Sequence, residues 1–315
     1  MNEDRIHLWQ NCHHCGLSPI IGTRYHCVSC PEGPDSDLCE DCFSLYSAGN
    51  ILHPAPEYRI SNRRHDFVKY DGKPRDLYEK WINIKTLPVH SIKIESGLLM
   101  RPEFCCDRES YYGAHGFLVN TDKEQIFLTA LHVLDELIKA KQIDTTARNK
   151  NYSGMELPNL ITGVNLYDVL EQQWMYHLVG QAGPMLCLQD ARTADEEPIS
   201  YRDIAAFYVV SADGHKPYIF AKSTPSVGEP VWLAARSEMG EHTHQAVVVE
   251  KTEQTFVFKY NDSSRKLRAT SGAPILNGEK EIVGINVGGG QYRGCKFGHA
   301  NHVENIRWHL NGFFN

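Results

Sequence analysis

Six of the ten cysteines fall within the first 42 residues, as three pairs each separated by two residues: Cys12 and Cys15, Cys27 and Cys30, Cys39 and Cys42. Two thiolates at that spacing sit on one turn and can grip a single tetrahedral cation. Three such pairs in so short a stretch read as a metal staple and not as a disulfide ladder. A segment this small buries little apolar surface, so its folding free energy must come largely from the metal. Two closed structural sites need eight ligands; the thiolates supply six, and His53 is the seventh candidate. A site closed in this way leaves no open coordination position, which makes the module a scaffold and not a catalyst.

The remaining cysteines, Cys105, Cys106, Cys187 and Cys295, do not continue the pattern. Adjacent cysteines rarely bond each other because the ring is strained, so these read as plain thiols of a reducing compartment; a redox role for the vicinal pair is the alternative. At 315 residues and 42% hydrophobic, the chain has material for two or three domains with a real core. A net charge of -7 with no basic tract argues against nucleic acid as the main partner. No apolar run is long enough to span a bilayer as a helix, so no membrane association is expected. The opening Met-Asn-Glu-Asp-Arg lacks a basic start followed by an apolar stretch, so a secretory signal is not expected and the expected compartment is the cytoplasm.

Past the cysteine-rich module, expected to occupy residues 1–60, residues 61–85 read as a polar linker with a short helix, Asp76 to Trp81. Residues 86–315 then carry many short strand-like runs punctuated by Gly, Pro and Asn, among them 115–119, 125–129, 205–210, 230–234, 245–249, 255–259 and 282–286. That pattern argues for barrels or sandwiches. Alternating Ser91 to Glu95 suggests the first strand of this domain, and Val303 to Leu310 has the apolar spacing of a closing helix. Residues 133–200 are the least regular: a helix follows His132, and the rest reads as loop or insertion.

Three residues in this β-rich part combine into a chemistry. Ser271 stands on a tight turn, Arg268-Ala-Thr-Ser-Gly-Ala-Pro274, ahead of an apolar run. A serine hydroxyl is a poor nucleophile unless a base takes its proton, and the base needs an orienting carboxylate. His132 ends the apolar run Leu128-Thr-Ala-Leu-His, and Asp203 leads another, Asp-Ile-Ala-Ala-Phe-Tyr-Val-Val210; Asp168, Asp190 and Asp195 are rivals that lead no such strand. The order His, Asp, Ser, with Leu-Thr-Ala-x-His and Ser-Gly-x-Pro contexts, resembles the trypsin-like (chymotrypsin-fold) serine peptidases. Tyr112 to Val119 and Ser226 to Leu233 are similar to the strand before the histidine and to a Val-Gly-x-Pro-Val stretch of the bacterial-type members. The resemblance implies His132 as general base, Asp203 as its orienter and Ser271 as nucleophile. It also implies that the backbone N–H groups of Ala269 and Ser271 form the oxyanion hole. The family usually has glycine where this chain has Ala269, so the loop must adopt its shape with a β-carbon in place. Arg265, Lys266 and Arg268 ahead of the serine would favour acidic substrate residues if they point inward; a solvated loop is the alternative.

The first module resembles a ZZ-type zinc finger, on Cys12-His-His-Cys-Gly-Leu-Ser-Pro-Ile-Ile-Gly-Thr-Arg-Tyr-His-Cys27 and Asp37-Leu-Cys-Glu-Asp-Cys-Phe43. The resemblance implies two structural Zn2+ ions, with Cys12, Cys15, Cys39 and Cys42 on one and Cys27, Cys30 and a histidine pair on the other. Beyond His53 the second histidine is missing at its usual spacing; Glu57 stands there, and His65 is the rival ligand. The family also implies a surface for an N-terminal peptide of another protein, with Asp35, Asp37 and Asp41 as the acidic candidates. The expected architecture is thus mostly β: a two-barrel chymotrypsin-like serine protease domain behind a ZZ-type module. The expected activity is that of an intracellular serine endopeptidase acting on proteins or peptides; the alternative is a zinc-finger adaptor with an inactive protease-like domain.

Overall fold

A computed structural model describes residues 4–29, 37–54, 65–88, 90–95, 98–140, 157–170, 177–188, 191, 199–212, 217–236, 242–264 and 269–313. Cys30, Asp35, Glu57, Asp190, Asp195, Arg265, Lys266 and Arg268 lie outside the described residues. The chain divides into two compact units.

The described part of the first unit comes from Met1–Ile84 and Gly289–Phe297. It holds the strands β1 (Arg5–His7), β2 (Ile20–Ile21), β3 (Thr23–Cys27) and β4 (Asp37–Cys39), then helix α1 (Glu40–Ser47), strands β5 (Phe67–Asp71) and β6 (Lys73–Pro74), and helix α2 (Arg75–Asn83). The expected linker therefore contributes more than a helix. β5 runs antiparallel to β3, pairing Tyr25 with Lys69, and β6 pairs with β1. Phe67 is what draws β5 in: its ring lies 5.3 Å from Phe43 and 5.2 Å from Tyr46, giving a metal-stapled module the aromatic cover it lacks on its own. Within the same unit the ring of Trp81 lies 5.7 Å from Phe297, so Gly289–Phe297 belongs with these residues.

The second unit begins with β7 (Met100–Cys106), β8 (Glu109–Tyr112), β9 (Phe117–Asn120) and β10 (Gln125–Thr129). A single turn, Leu131–Leu134, leads into α3 (Asp135–Ala140); α4 (Leu157–Leu160), β11 (Gly163–Asp168), β12 (Leu178–Met185) and β13 (Ala205–Ala212) follow. These strands form one seven-stranded sheet in the order β8-β7-β11-β12-β13-β10-β9. The sheet curls until Met100 and Gly116 exchange both backbone hydrogen bonds, each at 2.9 Å, which joins its two ends. β7 alternates buried and half-exposed residues along its length, the period expected of a strand with one face on a core.

The rest is a closed six-stranded barrel, β14 (Pro230–Ala234), β15 (Thr243–Lys251), β16 (Thr255–Tyr260), β17 (Pro274–Leu276), β18 (Ile282–Tyr292) and β19 (Cys295–His302), followed by α5 (Val303–His309), whose Val303 and Ile306 join the core under the seven-stranded sheet. Closure leaves no strand edge unpaired. Phe256, Phe258, Val248 and Ile275 fill it. Gly298 on β19 is required for that filling, because a β-carbon there would stand 2.1 Å from the Phe258 ring.

Two expectations change here. Ser91 to Glu95 belongs to no strand: side chains hold this stretch, with Trp232 Nε1 donating to His90 O at 2.6 Å and Thr243 Oγ1 donating to Ile92 O at 2.9 Å. Residues 133–200 supply two central strands, β11 and β12, and not only loop. β12, Leu-Val-Gly-Gln-Ala-Gly-Pro-Met, has two glycines and a proline that mask it in the sequence.

Candidate active site and metal centre

β10 delivers its last residues to the His132 turn, and the antiparallel register pairs Thr129 with Ala205 on β13. That pairing brings the turns at His132 and Asp203 together. Asp203 Oδ2 lies 2.6 Å from His132 Nδ1, and the His132 backbone N–H donates to Oδ1 at 3.0 Å. The carboxylate is fully buried, whereas the imidazole keeps 23% of its surface exposed. Asn301 Nδ2 donates to the Asp203 carbonyl at 3.1 Å, which anchors the turn from the other barrel. A carboxylate on Nδ1 holds the proton there and turns Nε2 outward as a base.

The Ser271 turn is docked against the same elements. Gly272 has φ +78 and packs so closely that a β-carbon would stand 2.1 Å from His115 O and 2.3 Å from Thr129 Oγ1. The His115 N–H donates to Ser271 O at 3.0 Å, and Thr129 Oγ1 donates to His115 O at 2.6 Å. Ser271 is half-buried, and its hydroxyl makes no hydrogen bond among the described residues.

Three successive carbonyls of this loop are held. Ala269 O accepts from His115 Nδ1 at 2.5 Å, Thr270 O accepts from Asn286 Nδ2 at 3.0 Å, and Ser271 O takes the His115 N–H. The N–H groups of Ala269 and Ser271 have no acceptor among the described residues. Ala269 sits at φ +51, a left-handed conformation that glycine adopts without penalty and alanine does not. The expected glycine is thus replaced without loss of the glycine-like backbone. His115 and Asn286 lie inside stretches the sequence reading recognised, 115–119 and 282–286, but nothing local to either residue marks it as a partner of the Ser271 loop.

In the first unit, Cys12, Cys15, Cys39 and Cys42 come together with their ligand atoms all within 4.8 Å of one another. Burial, with the Cys12 charge adding to it, pushes the Cys39 thiol up to about 11, and burial together with the neighbouring sulfurs raises Cys42 further. Such crowded sulfurs cannot all ionise unless a cation neutralises them, which is what Zn2+ does. Four sulfurs in this arrangement fit one tetrahedral Zn2+. Cys27, His53 and His65 form a second cluster, also within 4.8 Å, with Cys27 Sγ 3.4 Å from His65 Nδ1. His65, one of the two rivals for the last ligand, stands beside Cys27 and His53; the other, Glu57, lies outside the described residues.

Asp37, expected to face a partner, is buried. Its carboxylate lies 3.3 Å from Arg24 Nη1 and 3.0 Å from His26 Nδ1. Asp41, on α1, is exposed.

These features define a protein of two parts: a zinc-finger module with a four-cysteine cluster, followed by a mostly β domain built of a curled seven-stranded sheet and a closed six-stranded barrel. Residues 6–50 match the family described as "Zinc finger, ZZ type", so this chain carries a ZZ-type zinc finger at its N-terminal end. A 42-residue segment is 47% identical to the E3 ubiquitin-protein ligase PRT1 of Arabidopsis thaliana, covering 13% of this chain and only 10% of that protein. Among solved structures, the serine endoprotease from Yersinia pestis matches at a TM-score of 0.44 and 12% identity, over 75% of this chain and 66% of that one. The MamO protease domain from Magnetospirillum magneticum matches at 0.42 and 14%, over 68% and 96%. No described helix is long and apolar enough to cross a membrane.

Proposed function

We propose that this chain is a serine endopeptidase that acts on protein substrates in the cytoplasm. Ser271 Oγ attacks the scissile carbonyl carbon while His132 Nε2 takes its proton. Negative charge then gathers on the carbonyl oxygen, where the N–H groups of Ala269 and Ser271 receive it. His132 returns the proton to the leaving amine as the C–N bond breaks. Water, deprotonated by the same imidazole, then releases the acyl group and restores the serine. Asp203 holds the proton on Nδ1 throughout and stabilises the imidazolium.

The observation that carries this reading is the contact of a buried carboxylate with both the ring and the backbone of His132, beside a serine turn docked on His115 and Thr129 in which the Ala269 and Ser271 N–H groups have no acceptor among the described residues. The zinc finger serves as the recruiting module, binding a peptide segment of substrate or partner and raising its local concentration at the catalytic unit. With Asp37 engaged internally, Asp35 and Asp41 remain the acidic candidates for an N-terminal peptide. A second Zn2+ held by Cys27, Cys30, His53 and His65 completes the module and supplies only a structural crosslink.

Fluorophosphonate labelling tests the proposal. Covalent capture at Ser271, abolished in Ser271→Ala and in His132→Ala, is expected. Comparing new protein N-termini in cells carrying wild type or Ser271→Ala would then identify substrates. The bare Ser271 hydroxyl favours one other reading, an adaptor whose protease-like domain is silent; a folded, zinc-loaded protein that never labels would establish it and end the first.

A further inference from the structure

We propose that His115 is the positioning residue of the oxyanion loop, donating its Nδ1–H to the Ala269 carbonyl and so keeping the N–H groups of Ala269 and Ser271 turned toward substrate. This rests on the peptidase reading above and names a residue that reading does not use.

A carbonyl oxygen only accepts, so the 2.5 Å contact between His115 Nδ1 and Ala269 O requires the proton on Nδ1. The other ring nitrogen, Nε2, is buried with no partner among the described residues and carries the lone pair. Burial and the nearby Arg101 charge both oppose protonation of the ring, and the pKa is lowered to about 4. The ring is therefore a neutral, single-tautomer donor at any pH where a serine peptidase works. Its backbone is equally committed. The His115 N–H holds Ser271 O and its carbonyl accepts from Thr129 Oγ1, so one residue ties down the loop on either side of Thr270. Asn286 holds the carbonyl between them, and its Nδ2 also reaches Thr270 Oγ1 at 3.2 Å.

The clamp has a specific task. Ala269 at φ +51 is in a conformation its β-carbon disfavours. The bond to its carbonyl fixes the Ala269–Thr270 peptide plane, so relaxation toward negative φ cannot be taken up by turning that peptide, and the loop keeps its N–H groups in line. Glycine at this position would need less help; alanine makes the histidine necessary.

Two variants and one spectroscopic measurement decide it. His115→Leu keeps bulk and removes the donor; its kcat should fall about 10²–10³-fold, the usual cost of losing one oxyanion donor, while KM changes less than about threefold. His115→Asn places an amide N–H near the Nδ1 position and should recover kcat to within about tenfold of wild type. Long-range 1H–15N NMR of wild type should find His115 as the Nδ1–H tautomer. An Nε2–H tautomer overturns the proposal. So does a folded His115→Leu protein with near-normal kcat, or equal losses in both variants, which would mean packing and not donation. If wild type itself fails to label with fluorophosphonate, the peptidase reading falls, and the tautomer together with the folding of the two variants still reports on the clamp.

Discussion

Asp203 holds His132 at two points: Oδ2 reaches the ring Nδ1 at 2.6 Å, and Oδ1 takes the backbone N–H at 3.0 Å. The second bond orients the turn and the first orients the ring. Asp203→Asn keeps the shape of both contacts, but its amide can present an N–H to Nδ1 and so favours the wrong tautomer. The expected loss is about 10⁴-fold in kcat with little change in thermal stability. Steady-state hydrolysis of a peptide substrate measures it; a loss below about tenfold would remove Asp203 from the catalytic assignment.

Ala269→Gly tests the strain at φ +51. Relief of the left-handed penalty, about 1–2 kcal/mol, is partly offset by the greater freedom of glycine in the unfolded chain, about 0.5–1 kcal/mol. The variant should therefore be as stable as wild type or more so, by up to ~1.5 kcal/mol in urea unfolding, with kcat unchanged or raised. A clear loss of stability would mean that the methyl group packs favourably there.

His115 makes stability depend on pH. Its folded pKa is about 4 against the ordinary histidine value near 6.5. Between those values the unfolded chain binds more protons than the folded one, so stability falls as pH drops through that window and is unaffected above it. A lowering of this size corresponds to ~3 kcal/mol once pH is below both values. Arg101 is the charged group that acts on the ring alongside burial. In urea unfolding at pH 7 and pH 4.5, His115→Asn should lose clearly less stability on acidification than wild type. Equal slopes would show that the histidine is not buried neutral.

Removing zinc should separate the two units. A strong chelator is expected to make Cys12, Cys15, Cys39 and Cys42 reactive toward thiol reagents and to unfold the first unit, because the metal supplies most of its folding free energy. The closed barrel, with its own apolar core, should keep its unfolding transition. Unchanged thiol reactivity after chelation would contradict the metal site.

Asp37→Ala leaves Arg24, whose side chain is 2% exposed, without its counter-charge. Removing one partner of a buried pair costs about 3–5 kcal/mol. The zinc-loaded variant should unfold well below wild type in a thermal melt; a peptide-binding defect with normal stability would instead return Asp37 to a docking role.

Local spacing and local alternation by themselves determined a good deal of this protein. Cys-x2-Cys pairs declare metal ligation because both ligands lie on one turn. The runs at 125–129 and 230–234 match β10 and β14 residue for residue, since apolar side chains bounded by turn formers need no distant information to be strands. His132 and Asp203 carried their own sequence contexts, and the fold brings them together. What only the tertiary structure decided involves partners far apart in the chain. His65 joins Cys27 across 38 positions, β5 completes a sheet that the sequence left as linker, and His115 reaches Ala269 across 154 positions. Each depends on which backbone passes nearby once the sheets have closed, and a lone histidine or a short polar strand carries no local mark of the neighbour it will meet.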